Sequence, residues 1–366
     1  MKKNKIIGVF ISVFILIFIF GCNRKDTTPS VSNLKGKTLL CENFNGLSFI
    51  GMNDSNIVIR SYTDTLFEIY KINGEKIEMI KRFGLKGNGP SEYNIFATYF
   101  DNLRSDLYVL ENNGKLTHGS VININNKDIT NEKTWTKIDF KGMKPFYSGF
   151  SFIPESKDSF LIIGAVSNSK NFLSRISISD KSITPIDYWV KNKYAPDNNY
   201  ITQRIYIDNA NISINKTKHK FLYSGGNGKV VYIFNLKGNK VDSLIKIYDE
   251  VKVHKTADGI NYQFPQKVNW DLFTKTTDKY VYIRLYKYEK NNGNIDDYKG
   301  YPYYYSDNLK IYDWNGRHIV DINFDTPFYD FIVDKNNKFI LTLTNDLKTK
   351  ETIVRKYFIQ NINELR

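Results

Sequence analysis

The stretch FEIYKINGEKIEMI, residues 67–80, reads as an apolar-alternating strand, a tight turn at Gly74 and a second alternating strand. Alternation with period two buries one face of each strand. Glycine at the turn supplies the positive φ that a short hairpin needs. The same unit returns as VYIFNLKGNKVDSL (231–244), turning at Gly238, and as LKIYDWNGRHIVDI (309–322), turning at Gly316. A degenerate copy without glycine is SRISISDKSITPI (174–186). Repeats at this spacing are the signature of a stacked or circular architecture.

Around these hairpins lie shorter strands, each led by a polar turn. The turns are Asp54-Ser-Asn56, Arg104-Ser-Asp106, Ser156-Lys-Asp-Ser159, Lys218-His-Lys220, Thr277-Asp-Lys279 and Lys335-Asn-Asn-Lys338. A four-stranded unit therefore repeats about six times over residues 36–366. Propeller blades run roughly 40–50 residues, so six long blades fit and seven compact ones just fit. The sequence predicts an all-β chain, a six-bladed β-propeller of four-stranded antiparallel blades, with two packed β-sandwiches as the alternative. Closing the ring requires the last blade to be completed across the chain ends. The strand-like runs Thr38–Cys41 and Ile353–Ile359 are placed to do so. The 51 tyrosines and phenylalanines of the 366 residues suit this reading, because flat rings pack between stacked sheets.

The N-terminus gives an address. Lys2, Lys3 and Lys5 precede an apolar run from Ile6 to Phe20, which is the length of a secretory signal and short for a spanning helix. The run ends Gly21-Cys22. This resembles the lipobox of bacterial lipoproteins, and the resemblance implies cleavage before Cys22 and acylation of its thiol and amine. Residues 1–21 are then the signal peptide, 22–35 a lipidated tether, and 36–366 the propeller domain. Removing three lysines lowers the formal charge from +14 to +11. The remaining charge is spread over the chain as a solvated surface, and an exported, tethered protein rarely meets nucleic acid. The resemblance implies placement in the outer membrane, because Asn23 is not the aspartate that favours inner-membrane retention. Cys41, in an apolar run, reads as a buried free thiol.

The most distinctive local motif is KRFGLKGNGPSEY, residues 81–93. A phosphate-binding loop would place Lys and Ser or Thr directly after its last glycine, and here Pro90-Ser91-Glu92 follows. Gly84, Gly87 and Gly89 instead suit a chain crossing between blades with positive φ, stiffened by Pro90. Glu92 would accept N–H groups of that crossing or point into the axial channel. The segment resembles the Gly-x-Gly-Pro-x-Glu-aromatic signature of the TolB-like six-bladed propeller lipoproteins of Bacteroidetes, with Ser91 where glycine is frequent. The resemblance implies a fold and an envelope location and brings no catalytic residues.

Chemistry is sparse. His118, His219, His254 and His318 form no metal-ligand spacing, and no serine sits in a nucleophile elbow. Asp334-Lys-Asn-Asn-Lys338 lacks the glycine and glutamate of a calcium loop and reads as a β-turn. No metal, cofactor or catalytic residue is expected. Residues 286–305 interrupt a blade and carry six tyrosines from Tyr288 onward. Tyr298, Tyr301, Tyr303 and Tyr304 are candidates for partner binding, since inserted loops on rigid scaffolds carry function. The competing reading is that Tyr303 and Tyr305 pack as strand residues. The function expected is a lipid-anchored envelope module binding a protein or glycan. The alternative is an envelope glycan hydrolase or lyase whose acidic residues converge at the propeller axis.

Overall fold

The computed structural model describes residues 30–42, 44–87, 92–93, 95–112, 116–140, 143, 146–166, 171–187, 210–225, 229–250, 254–255, 262–263, 272–285, 290–291, 294–295, 301, 304–359 and 362. Six four-stranded antiparallel sheets form a six-bladed β-propeller. Blade 1 runs Gly46–Asn53, Asn56–Ser61, Thr65–Asn73 and Lys76–Lys86; blade 2 runs Ile95–Asp101, Asp106–Asn112, Leu116–Asn123 and Thr136–Asp139. Blade 3 runs Phe146–Pro154, Ser159–Val166, Leu173–Ser177 and Ser182–Pro185; blade 4 runs Asn211–Asn215, Lys220–Gly225, Lys229–Lys237 and Lys240–Glu250. Blade 5 runs Leu272–Thr276, Tyr280–Leu285, Ser306–Asp313 and His318–Phe328. Blade 6 takes Asp330–Val333, Phe339–Asn345 and Thr352–Phe358 from the C-terminal end, and Lys37–Leu39 from the N-terminal end. The ring closes as the sequence predicted. The first strand of each blade packs against the first strands of its neighbours all the way round.

The predicted turns have the predicted backbone. Gly74, Gly238 and Gly316 have φ of 62°, 60° and 75°, and Lys181 takes 48° in the hairpin without glycine. The turns between first and second strands use Asp54, Ser105, His219 and Asn337 at φ between 49° and 59°. Short polar side chains hold these turns by accepting backbone N–H groups. Asp101 takes that of Leu103, Asn215 that of Lys218, and Asp334 those of Asn336 and Lys338. The last confirms a β-turn at Asp334.

The core is divided among the blade junctions. Six apolar clusters fill the six seams, one between each pair of adjacent blades. Aromatic pairs cross them: Tyr108 to Phe160 at 6.2 Å, Phe172 to Tyr223 at 5.1 Å, Phe324 to Tyr357 at 4.7 Å. Trp135 and Trp314 are buried. This is where the large aromatic content is used.

Two expectations change. Ser30–Leu34, read from sequence as the end of the tether, is a fifth strand on blade 5, parallel to Val320–Phe324. Cys41 is only half-buried, because it lies just past the edge strand Lys37–Leu39 beside an exposed Leu40. Partial burial and the Glu68 and Glu42 charges push its thiol up to about 11. Residues 1–21, expected from sequence to be a signal peptide, and Cys22 lie outside the described residues.

Candidate functional site

The turns joining first to second strands all lie at one end of the barrel-like ring, and those of blades 1, 2, 4, 5 and 6 are stitched together there. Asn53 Nδ2 donates to Ser105 Oγ, joining blades 1 and 2. Asn215 Nδ2 donates to the Asp278 carbonyl at 2.8 Å, and Thr277 Oγ1 donates to Asn337 Oδ1 at 2.7 Å, joining blades 4, 5 and 6. Lys335 pairs with Asp54 at 2.6 Å, joining blade 6 to blade 1. Lys216 of blade 4 reaches past blade 3 to Asp101 of blade 2, also at 2.6 Å.

Inside this ring of turns is an axial pocket of about 410 Å³. Its walls come from the first strands of blades 1, 2, 4, 5 and 6 and its rim from the turns of blades 2, 4, 5 and 6. Thr98, Asn102, Asn211, Ser213, Thr276 and Asn336 give it hydroxyl and amide groups, and Tyr99 and Phe100 give it rings. Gly51 faces Phe100, where any Cβ would collide with the ring, so the glycine creates room for that ring at the axis. Burial, with the Asp101 charge adding to it, pushes the Tyr99 phenol up, so it stays a neutral donor.

A buried charged group adjoins the lining at Lys275. Lys275 lines the pocket and donates to the Phe49 carbonyl at 3.2 Å. Asp330, 4% exposed, accepts the Phe49 N–H at 2.6 Å and the Phe331 N–H at 2.7 Å. Arg284, 2% exposed, and Lys275 both lie over the Phe273 ring, at 5.3 and 5.0 Å. Burial holds the Lys275 ammonium below its ordinary range, against the pull of Asp330; burial raises the Asp330 carboxyl, against Lys275 and its two N–H donors. One acid thus neighbours two basic side chains just behind the pocket wall.

Two carboxylates line the pocket, Asp101 and Asp278. A glycosidase needs one carboxyl as acid and another as base or nucleophile. Asp101 is committed instead to Lys216 and to the Leu103 N–H. Among the described residues no cluster of three His, Cys, Asp or Glu groups is arranged to hold a metal.

The predicted inter-blade motif lies elsewhere. Gly84, inside the strand Lys76–Lys86, and Gly87, just past it, have φ of 72° and 150°, and Glu92-Tyr93 folds back parallel to Leu85-Lys86. Glu92 does not reach the axis. Its carboxylate covers Gly87, where a Cβ would collide with it, and it lines a separate cleft of about 600 Å³ at the seam of blades 1 and 2. In that cleft Lys137 donates to Tyr93 Oη at 3.1 Å and Tyr93 donates to Glu132 at 3.3 Å, so polar groups answer one another across the seam. Gly89 and Pro90 lie outside the described residues.

The tyrosine candidates separate. Tyr301 is 8% exposed and stacks on fully buried Tyr305 at 5.1 Å, so it is a packing residue. Tyr304 is 38% exposed. Tyr298 and Tyr303 lie outside the described residues. The strands flanking 286–305 meet at the end of blade 5 opposite the stitched turns, away from the axial mouth. Asp101, Lys216, Lys275, Arg284 and Asp330 were missed from sequence. Part of the signal was present: Asn53, Asp101, Asn215 and Asp334 recur where a first strand enters its turn.

No family model matches the chain, and no curated protein matches it. Solved structures do. A member of the DUF4221 family from Bacteroides vulgatus aligns with a TM-score of 0.54 at 13% identity, over 88% of this chain and 95% of that one. A Bacteroides fragilis protein named as exported aligns with a TM-score of 0.47 at 10% identity, over 91% of this chain and all of that one. At such identity the first of these likenesses establishes the shared fold.

Proposed function

We propose that the chain is a lipid-anchored propeller of the bacterial cell envelope, of the TolB-like lipoprotein kind, that binds a glycan in its axial pocket without transforming it. The observation that carries this reading is the pocket lining: hydroxyl, amide and aromatic groups from four blades, with Asp101 held in an ion pair. Such a lining suits a polyhydroxylated ligand, which needs many hydrogen bonds and a ring to lie against. The basic start, apolar run and Gly21-Cys22 support export and acylation, and Asn23 supports the outer membrane.

Titration calorimetry of the form beginning at Asn23 against envelope oligosaccharides tests the binding. Thr98→Val with Thr276→Val keeps shape and removes two hydroxyls, and should weaken binding at least tenfold. Appearance of new reducing ends would favour the enzyme reading and end this one. For the address, Cys22→Ala should release the protein from membranes.

A further inference from the structure

Taking Cys22 as acylated, as proposed above, we infer that the axial mouth faces the membrane that anchors the chain, so the ligand is a glycan displayed by that same bilayer. The orientation follows from the register of the first strand. His318–Phe328 starts at the Gly316 turn, and hairpin turns of this class lie at the same end of the blades as the stitched turns: Trp314, beside Gly316, donates its indole N–H to the Thr277 carbonyl at 2.9 Å. Ser30–Leu34 is parallel to that strand, with Ser30 opposite Val320 and Leu34 opposite Phe324. The chain therefore arrives at Ser30 from the Gly316 end, the end at which the axial pocket opens.

The tether is short. From Cys22 to Ser30 are eight residues, a reach of at most about 29 Å. Turning the other face down would make the tether also span the depth of a blade, about 23 Å for a strand such as Ile95–Asp101. That leaves it near full extension. Charge acts in the same direction: in the turns of the mouth face the exposed acids Asp54, Glu75, Asp128, Asp158, Asp180 and Asp278 are outnumbered by exposed lysines and arginines. That basic excess favours an anionic lipid surface. A mouth held this close to the bilayer admits head groups and excludes large soluble partners.

The test uses the full acylated protein in vesicles containing anionic lipid and a lipid with a nitroxide on its head group. In a Cys41→Ser background, a fluorophore is attached through Thr217→Cys on the mouth face or Leu347→Cys on the opposite face. The mouth-face label should be quenched several-fold more strongly. Inserting thirty Gly/Ser residues after Lys25 should abolish the difference while the protein still floats with vesicles. Equal or reversed quenching in a floating protein overturns the orientation and leaves the anchor standing. Failure to float, equal to that of Cys22→Ala, overturns the anchor and the orientation with it.

Discussion

Replacing the cross-axis ion pair is the most direct probe of the site. Asp101 and Lys216 meet at 2.6 Å, with side chains 3% and 33% exposed. Exposed pairs contribute up to about 1 kcal/mol, and breaking a fully buried pair costs about 3–5 kcal/mol. This pair lies between, because the carboxylate is buried and the ammonium is wet. Asp101→Asn keeps an acceptor for the Leu103 N–H and removes only the charge, so it should cost about 2 kcal/mol. Lys216→Met leaves the buried carboxylate with that one N–H, and should cost about 2–3 kcal/mol. The double variant should cost less than the two together, with a coupling energy of about 1–2 kcal/mol. Equilibrium urea unfolding measures all four proteins, and raising salt should shrink the coupling only partly. Coupling below about 0.3 kcal/mol would refute the claim that Lys216 neutralises Asp101. It would also return Asp101 to the candidates for acid–base chemistry.

The three glycine turns give a graded series. Gly74→Ala and Gly238→Ala meet no atom within 4 Å and should each cost about 1 kcal/mol of backbone strain. Gly316→Ala also drives its methyl into Ile245 of blade 4 and should cost about 2–4 kcal/mol by the same unfolding assay. Tyr301→Ala should cost about 2–4 kcal/mol through its lost stack on Tyr305, and Tyr304→Ala under about 1 kcal/mol. For Asp330, burial raises the folded carboxyl above its unfolded value of about 3.9. Its contribution is thus fully present below that value and is lost as pH rises through the folded one. The stability of Asp330→Asn relative to wild type should therefore improve as pH rises above about 4; a flat difference would contradict the burial cost.

Most of the blade plan was legible because it is local. The period of two in 67–80, 231–244 and 309–322, and the glycine between the halves, fix a hairpin wherever they occur. Cys41 was misjudged because its neighbours are apolar, while its position past an edge strand is a tertiary fact. The tyrosine segment read as one unit, yet Tyr301 is buried and Tyr304 partly exposed, though both lie against the Tyr305 ring that Tyr329 backs.

By itself the sequence determined the repeat, the turn chemistry and the closing strands, because each rests on residues within about fifteen positions or on the two chain ends. Only the tertiary structure decided the site. Lys216 lies 115 residues from Asp101, and the Phe49 N–H lies 281 residues from Asp330. Those groups meet because six seams of buried side chains bend successive sheets around one axis. No local pattern encodes which residues of different blades a closed ring brings face to face.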